Sequence, residues 1–274
     1  METALHPDKI EAQKQWDTDP CGACTAQGVE PETLEFYREV RRYRYEDYGP
    51  WFHRVIGFDQ VRDKEVLEIG VGVGSDHFSF ARNGNRMTGL DLSREHLRHT
   101  QRHLALEGYS TTPIYGDAED MPFPDNSFDV VYSFGVLMST PDTPKAFSEV
   151  HRVLRPGGVA LIGIYNRNSW FFWVNTFLVH GIVKMGLIRK GWRKLLSEIE
   201  YRSDNNAAVP LVKVYSRRNL RKFSSPFSRV EITSCHVDHG HFSRLRHVLR
   251  PIPREWMERH LGFGGWYLVV RAEK

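Results

Sequence analysis

The sequence predicts an α/β fold: a doubly wound, mainly parallel sheet with helices on both faces, an N-terminal helical arm and a helical insert. Three observations lead there. Short apolar runs that read as buried strands alternate with amphipathic stretches of helical length. A glycine-rich loop, Gly70-Val71-Gly72-Val73-Gly74, follows the first of these strands. Acidic residues, Asp91 and Asp117, then fall at the ends of the next two strands, the edge where such sheets hold ligands.

The first 30 residues, with Asp19-Pro20-Cys21-Gly22 and Gly28, read as an extended arm. Pro31-Glu32-Thr33 then opens a helix through Phe36, Tyr37, Val40 and Tyr43, with proline in its first turn. Lys64 to Ile69 reads as a buried strand, and His77 to Arg82 as the helix behind the glycines. A second strand ends at Asp91, and Ser93 caps a longer helix through His96, Leu97, Leu104 and Leu106. Further strands are read at Thr111 to Tyr115, Phe128 to Ser133 and Val159 to Tyr165. The helix before the last of them, Thr143 to Leu154, is stopped by Arg155-Pro156-Gly157-Gly158. Beyond Asn166 the alternation breaks for about forty residues, then resumes with a helix from Ser216 and strands at Arg229 to Ser234 and Gly265 to Arg271. The division that results is 1–60 as arm and helix, 61–165 as core, 166–210 as a lid-like insert, and 211–274 completing the sheet.

Length and composition exclude several classes. With 274 residues, 41% hydrophobic and 26% charged, the chain can bury a core without disulfides, and disorder and collagen are ruled out. Only 3 cysteines occur, so a reducing compartment such as the cytoplasm is the expectation. The start, Met1-Glu2-Thr3 followed by Asp8, Lys9 and Glu11, lacks the basic-then-apolar pattern of a signal peptide. The net charge of +3 hides an asymmetry: Lys184 to Arg259 holds 17 Lys/Arg against 7 Asp/Glu, and the rest is acidic. A basic stretch fits an anionic partner (phosphate-bearing substrate, membrane surface or RNA) as well as a solvated surface.

The glycine loop is the strongest motif. A dinucleotide fingerprint needs G-x-G-x-x-G/A, but the third small position counted from Gly70 is Ser75, and counted from Gly72 it is His77. The loop is instead G-x-G-x-G behind Glu68, which argues against a nicotinamide oxidoreductase. Asp91, at the end of the second strand, is placed to accept hydrogen bonds from a ribose diol, and Asp117 offers a third polar contact.

These residues together resemble a class I S-adenosylmethionine (SAM)-dependent methyltransferase of the small-molecule type, the group of the quinone-biosynthesis and sterol enzymes. The similarity is carried by Val66–Gly74, Gly89–Ser93, Gly116–Asp125, Ser127–Val131 and Arg152–Gly158. It implies a Rossmann-like fold, SAM as cofactor and S-adenosylhomocysteine as product. Gly70, Gly72 and Gly74 would border the methionine end, with Glu68 near its ammonium. Asp91 would bind the ribose hydroxyls and Leu92 would lie along the adenine. Asp117 and Ala118 would meet the adenine edge, and Ser133 and Phe134 would line the passage to substrate. Two departures matter. Val136-Leu137-Met138-Ser139 stands where many relatives carry histidine, and Ser133-Phe134-Gly135 replaces the N/D/S-P-P-aromatic signature of amino-group methylation. The expected activity is therefore methyl transfer to an O, C or S atom of a small, lipophilic molecule. An RNA methyltransferase and a non-catalytic SAM-binding partner protein are the alternatives.

SAM carries an already activated methyl, so a base is needed only where the acceptor arrives protonated. Candidates from the covering segments are Tyr43, Tyr45, His53, Tyr165 and His180. The run Trp170 to Val179 is the most apolar in the chain, and Lys184, Arg189, Lys190, Arg193 and Lys194 follow it. It is too short and too polar to span a bilayer. Packing on the sheet, a homodimer contact, a lid over an apolar substrate and a helix lying on a membrane surface all remain open for it. Cys21-Gly22-Ala23-Cys24 has the spacing of a redox or zinc pair, and Cys235, His236, His239 and His241 cluster near the other end. No metal site is expected, because a tetrahedral site would need precise convergence of the two chain ends.

Overall fold

The computed structural model describes residues 5–200 and 209–274; the first residues of the chain and the close of the 166–210 insert lie outside the described residues. The chain opens with α1 (Pro7–Thr18), α2 (Leu34–Arg42) and α3 (Phe52–Ile56). The alternating unit follows as β1 (Glu65–Ile69), α4 (Ser75–Ala81), β2 (Arg86–Asp91), α5 (Arg94–Leu106) and β3 (Thr112–Tyr115). Next come β4 (Phe128–Phe134), α6 (Thr143–Val153) and β5 (Leu154–Tyr165), then α7 (Gly186–Ser197) and α8 (Arg217–Phe223). The chain closes with β6 (Arg229–Cys235), α9 (Arg246–Leu249), α10 (Arg254–Leu261) and β7 (Tyr267–Glu273).

One seven-stranded sheet results, in the order β3-β2-β1-β4-β5-β7-β6. The first five strands run parallel, and β7 pairs antiparallel with both β5 and β6. The order reverses between β1 and β4, which opens a crevice at their carboxyl ends. Strands buried on both faces need continuous apolar runs, and Val66, Leu67, Val130, Val131 and Tyr132 are buried as that requires. Local signals set the helix starts: Ser93 accepts from the His96 amide at 3.1 Å, and Thr33 from the Phe36 amide at 3.2 Å.

Two local expectations are corrected. Residues 7–18 form a helix rather than an extended arm, begun by Pro7, with the His6 ring accepting from the Asp8 amide at 3.2 Å. The segment lacks a strong apolar stripe, so the periodicity is silent there. What docks it is tertiary: the buried Lys9 ammonium lies 2.5 Å from Asp117 and 2.6 Å from Glu119. The second correction concerns β5, which begins at Leu154 and runs through Pro156-Gly157-Gly158 instead of starting after them. The register shifts between Phe128 and Val130 on the partner strand, and the Gly157 amide is taken by the Lys274 carbonyl at 2.9 Å.

The insert is a helical pair. Phe171–Val183 winds as a wide π-helix, Met185 turns the chain with φ +54°, and α7 returns with a break at Gly191. Phe172, Thr176, Gly181, Leu195 and Leu196 form its buried side.

Candidate active site

At the carboxyl ends of β1, β2 and β4 lies a cavity of about 220 Å³. Glu68, Gly70, Gly72, Asp91, Leu92, Asp117, Ala118 and Phe134 all line it. Gly74 and Ser133 do not. Gly74 packs with its Cα side toward Thr100 and His103 of α5, and the Ser133 hydroxyl turns back to donate to the Ile69 carbonyl at 3.0 Å. Both hold the loop from behind. Glycine is required at position 70: φ is +79°, and a Cβ would stand 2.2 Å from Val136.

Asp91 is nearly buried and organises its surroundings. One oxygen accepts from the Ser93 amide at 2.8 Å, and the other from the Val71 amide at 2.9 Å and the His96 ring at 3.1 Å. The Cys21 amide donates to the far nitrogen of His96 at 3.1 Å, which fixes Nδ1 as the donor to Asp91. The arm is thereby tied to the second strand end. Across the cavity Asp117 faces Lys9, whose ammonium loses stability through burial but is held charged, with its pKa raised, by Asp117 and Glu119.

Under the glycine loop sits a buried polar network. Asp76 accepts from Arg44 Nε at 2.6 Å, Tyr45 at 2.7 Å and Tyr132 at 2.6 Å. Burial opposes its charge, but the Arg44 charge and these donors keep its carboxyl below the usual range. Glu68 is raised well above that range by burial and by the neighbouring Asp76 charge. Its partner His77 contacts it at 2.8 Å and is kept neutral, its pKa pushed by burial down to about 3.

The opposite end of the cavity is aromatic: Tyr43, Tyr48, Phe134, Tyr165 and Tyr267, with Glu200 among them. The Tyr48 and Tyr267 hydroxyls meet at 2.6 Å, and Tyr165 donates to the Glu200 carboxylate. Burial and the Glu200 charge push the Tyr165 phenol well up, so it holds its proton at neutral pH. Of the base candidates, Tyr43 and Tyr165 line the cavity. Tyr45 is spent on Asp76, Ser75 and Ser79. His53 packs against Tyr45 and Phe58 outside the lining, with its pKa lowered by burial. His180 sits in the insert, also lowered by burial.

Sequence reasoning missed Lys9, Arg44, Asp76, His96, Glu200 and Tyr267. Asp76 stood beside the glycines in the first turn of a helix, and His96 lies five residues past Asp91 on the next one, both local signals; the others are brought in by long-range packing. Among the described residues, no group of three or more His, Cys, Asp or Glu could hold a metal ion. Cys21 and Cys24 are exposed at the cavity end of the arm, while Cys235 and His236 are buried near Trp51 and Tyr267.

Residues 67–162 match a family described as a methyltransferase domain. The chain is 30% identical over 173 residues to a sterol 24-C-methyltransferase of Gibberella zeae, covering 58% of this chain and 45% of that protein. It is 37% identical over 131 residues to the phthiotriol/phenolphthiotriol dimycocerosates methyltransferase 1 of Mycobacterium ulcerans, covering 47% of this chain and 46% of the other. A fatty-acid O-methyltransferase of Mycolicibacterium smegmatis is 35% identical over 125 residues, 45% of this chain and 43% of its own. The chain spans less than half the length of each of these relatives. Two solved SAM-dependent methyltransferases share the fold. One from Methanosarcina mazei has a TM-score of 0.54 at 19% identity, covering 80% of this chain and 96% of its own. The other, from Mesorhizobium loti, has a TM-score of 0.52 at 20% identity, covering 82% and 97%. Residues 67–162 of this chain thus match a methyltransferase-domain family, and the chain shares the Rossmann-like fold of these two solved structures.

Proposed function

We propose that this chain transfers a methyl group from SAM to an O, C or S atom of a small lipophilic molecule. The carrying observation is one cavity with two chemistries: carboxylates and glycine backbone at the β1–β2 end, aromatic rings at the other. The residues present fit SAM. Glu68 is a buried carboxyl able to meet an ammonium, Asp91 a lined carboxylate for a diol, and Leu90, Leu92 and Ala118 an apolar wall for a purine. Gly70 and Gly72 let backbone approach the methionine end, while Asp117 serves the adenine edge. Gly74 and Ser133 act from behind the loop. The names of the relatives, acting on sterols, phthiotriol lipids and fatty acids, support a lipophilic acceptor over RNA.

SAM, when bound, supplies a methyl on a sulfonium. The chain's own work is to align the acceptor and exclude water. In this reading 61–165 holds the cofactor, 1–60 covers it, 166–210 is the lid that selects the acceptor, and 211–274 completes the sheet and lends Tyr267 to the wall. Where the acceptor is a hydroxyl, the Glu200 carboxylate beside Tyr165 takes its proton. Glu200→Gln is expected to lower turnover of a hydroxyl acceptor by about 100-fold and leave SAM affinity unchanged. Equal turnover in the variant would remove Glu200 from the chemistry.

Asp91→Ala is expected to weaken SAM binding by about 1.5–3 kcal/mol through loss of charged-acceptor hydrogen bonds. Calorimetric titration with SAM and S-adenosylhomocysteine, with NADH as control, tests both the site and the class. Heat from SAM and its product alone sends the work to labelled-methyl transfer onto lipophilic phenols, thiols and lipids. Absence of SAM binding, or undiminished binding by Asp91→Ala, overturns the placement.

A further inference from the structure

The outer surface carries large apolar side chains from two separate stretches. In the insert Ile188 is 80% exposed and Val183 70%, with Trp173 and Ile182 about half exposed beside them. Near the end of the chain Val248 is 74% exposed and Phe263 70%, with Leu245 and Trp256 also open. Trp170 joins the two stretches: its ring packs on Phe242 at 6.1 Å and Phe263 at 5.4 Å, and its Nε1 donates to the Leu261 carbonyl at 3.0 Å.

Both stretches are one-sided in charge. No Asp or Glu occurs from 167 to 197 or from 239 to 254. Lys184, Arg189 and Lys194 are exposed on the insert and Arg250 on the other stretch, and no ion pair involves them among the described residues; Arg259 is exposed beyond that stretch, past Glu255 and Glu258. Scattered exposed leucines are ordinary, but two stretches dense in exposed apolar groups, packed together through Trp170 and carrying unpaired cations, mark an interaction surface.

We propose that this face docks on the surface of an anionic lipid bilayer, its apolar side chains entering the headgroup–acyl boundary and its cations meeting the anionic headgroups. No described helix is long and apolar enough to cross a membrane, so the contact is a peripheral one. The face also leads to the cavity. The Phe171 ring lies 4.6 Å from Trp266, which stacks at 4.3 Å on Tyr165 of the aromatic wall. This deepens the reading above by naming where a lipophilic acceptor is met, and it can fail independently of that reading.

The test is sedimentation of the full chain with phosphatidylcholine vesicles, alone or with about one-third phosphatidylglycerol. The expected result is partition onto the anionic vesicles only, weakened by salt. Lys184→Gln and Arg189→Gln should each reduce it about fivefold. Ile188→Glu and Phe263→Glu should abolish it with unchanged thermal melting, these side chains being exposed. Equal partition onto both vesicle types, or none onto either, overturns the proposal. So does light scattering that shows a dimer broken by Phe263→Glu, which would mean that a second copy covers the face. SAM titration of the same variants separates the two readings. Lost vesicle binding with intact SAM binding tests the face alone, and absent SAM binding in the parent chain fails the enzyme reading without touching the face.

Discussion

Arg44→Met is expected to unfold at a free energy about 3–5 kcal/mol below the parent, read by urea denaturation at neutral pH. The reason is what remains rather than what is removed. Asp76 is 5% exposed, and without Arg44 its charge keeps, among the described residues, the Tyr45 and Tyr132 hydroxyls as donors. A buried carboxylate stripped of its cation must either stay uncompensated or take up a proton, and both are unfavourable. Arg44 also lies over the Phe52 ring at 4.3 Å, so methionine preserves part of its packing and isolates the charge. The double variant Arg44→Met/Asp76→Leu should recover much of the loss, because apolar groups replace both members of the pair. Additive losses in that cycle would show that the pair is not coupled. Acidification gives a second readout: the folded Asp76 carboxyl is held below its ordinary value, so its contribution is present at neutral pH and disappears as pH falls through that lowered value.

Stability is also expected to fall by about 6 kcal/mol between pH 7 and pH 4 through two buried imidazoles alone. Burial pushes both His103 and His241 from the ordinary 6.5 down to about 4. The unfolded chain takes a proton at each near pH 6.5, the folded chain only near 4, so the unfolded state holds more protons across that window and gains as pH drops. Each therefore contributes about 3 kcal/mol. The geometry shows why His103 resists charging. Its Nδ1 donates to the Val73 carbonyl at 2.9 Å, and its Nε2 faces the Arg41 guanidinium at 3.1 Å, leaving no place for a second proton. The ring is stacked on Tyr37 at 4.6 Å. Glu68 runs the other way, since a raised carboxyl favours the folded state as pH falls. The comparison that isolates the effect is His103→Gln against the parent at pH 7, 6 and 5. The variant's slope should be shallower by about 0.9 kcal/mol per pH unit averaged over that range, and an unchanged slope would refute the assignment.

The strand–helix alternation was legible because burial on both faces forces continuous apolar runs such as Val66-Leu67 and Val130-Val131. The strand ends were legible too, since Gly70 and Asp91 occupy positions where backbone torsion and solvent access restrict the choice of residue. Local periodicity carries no word of Lys9, because α1 has no apolar stripe and is positioned by charges 108 and 110 residues away. Nor could it show that Tyr45 faces Asp76 while Tyr43 faces the cavity. Neighbours two apart on a helix point in different directions, and the winding widens at that place. Glu200 and Tyr267 share one wall because β7 pairs beside β5, a fact of topology that no single segment contains.

The position of β7 has a consequence for biosynthesis. It follows β6 in the chain, yet it lies between β5 and β6 and is the strand on which β6 pairs among the described residues. During translation β6 therefore emerges with no partner, and β5 keeps a bare edge until residues 267–273 leave the ribosome. A nascent chain halted before Tyr267 exposes two unpaired strands at once, the state from which edge-to-edge association begins. Growth of this sheet is not vectorial at its far side; the β5 edge and β6 both wait on β7.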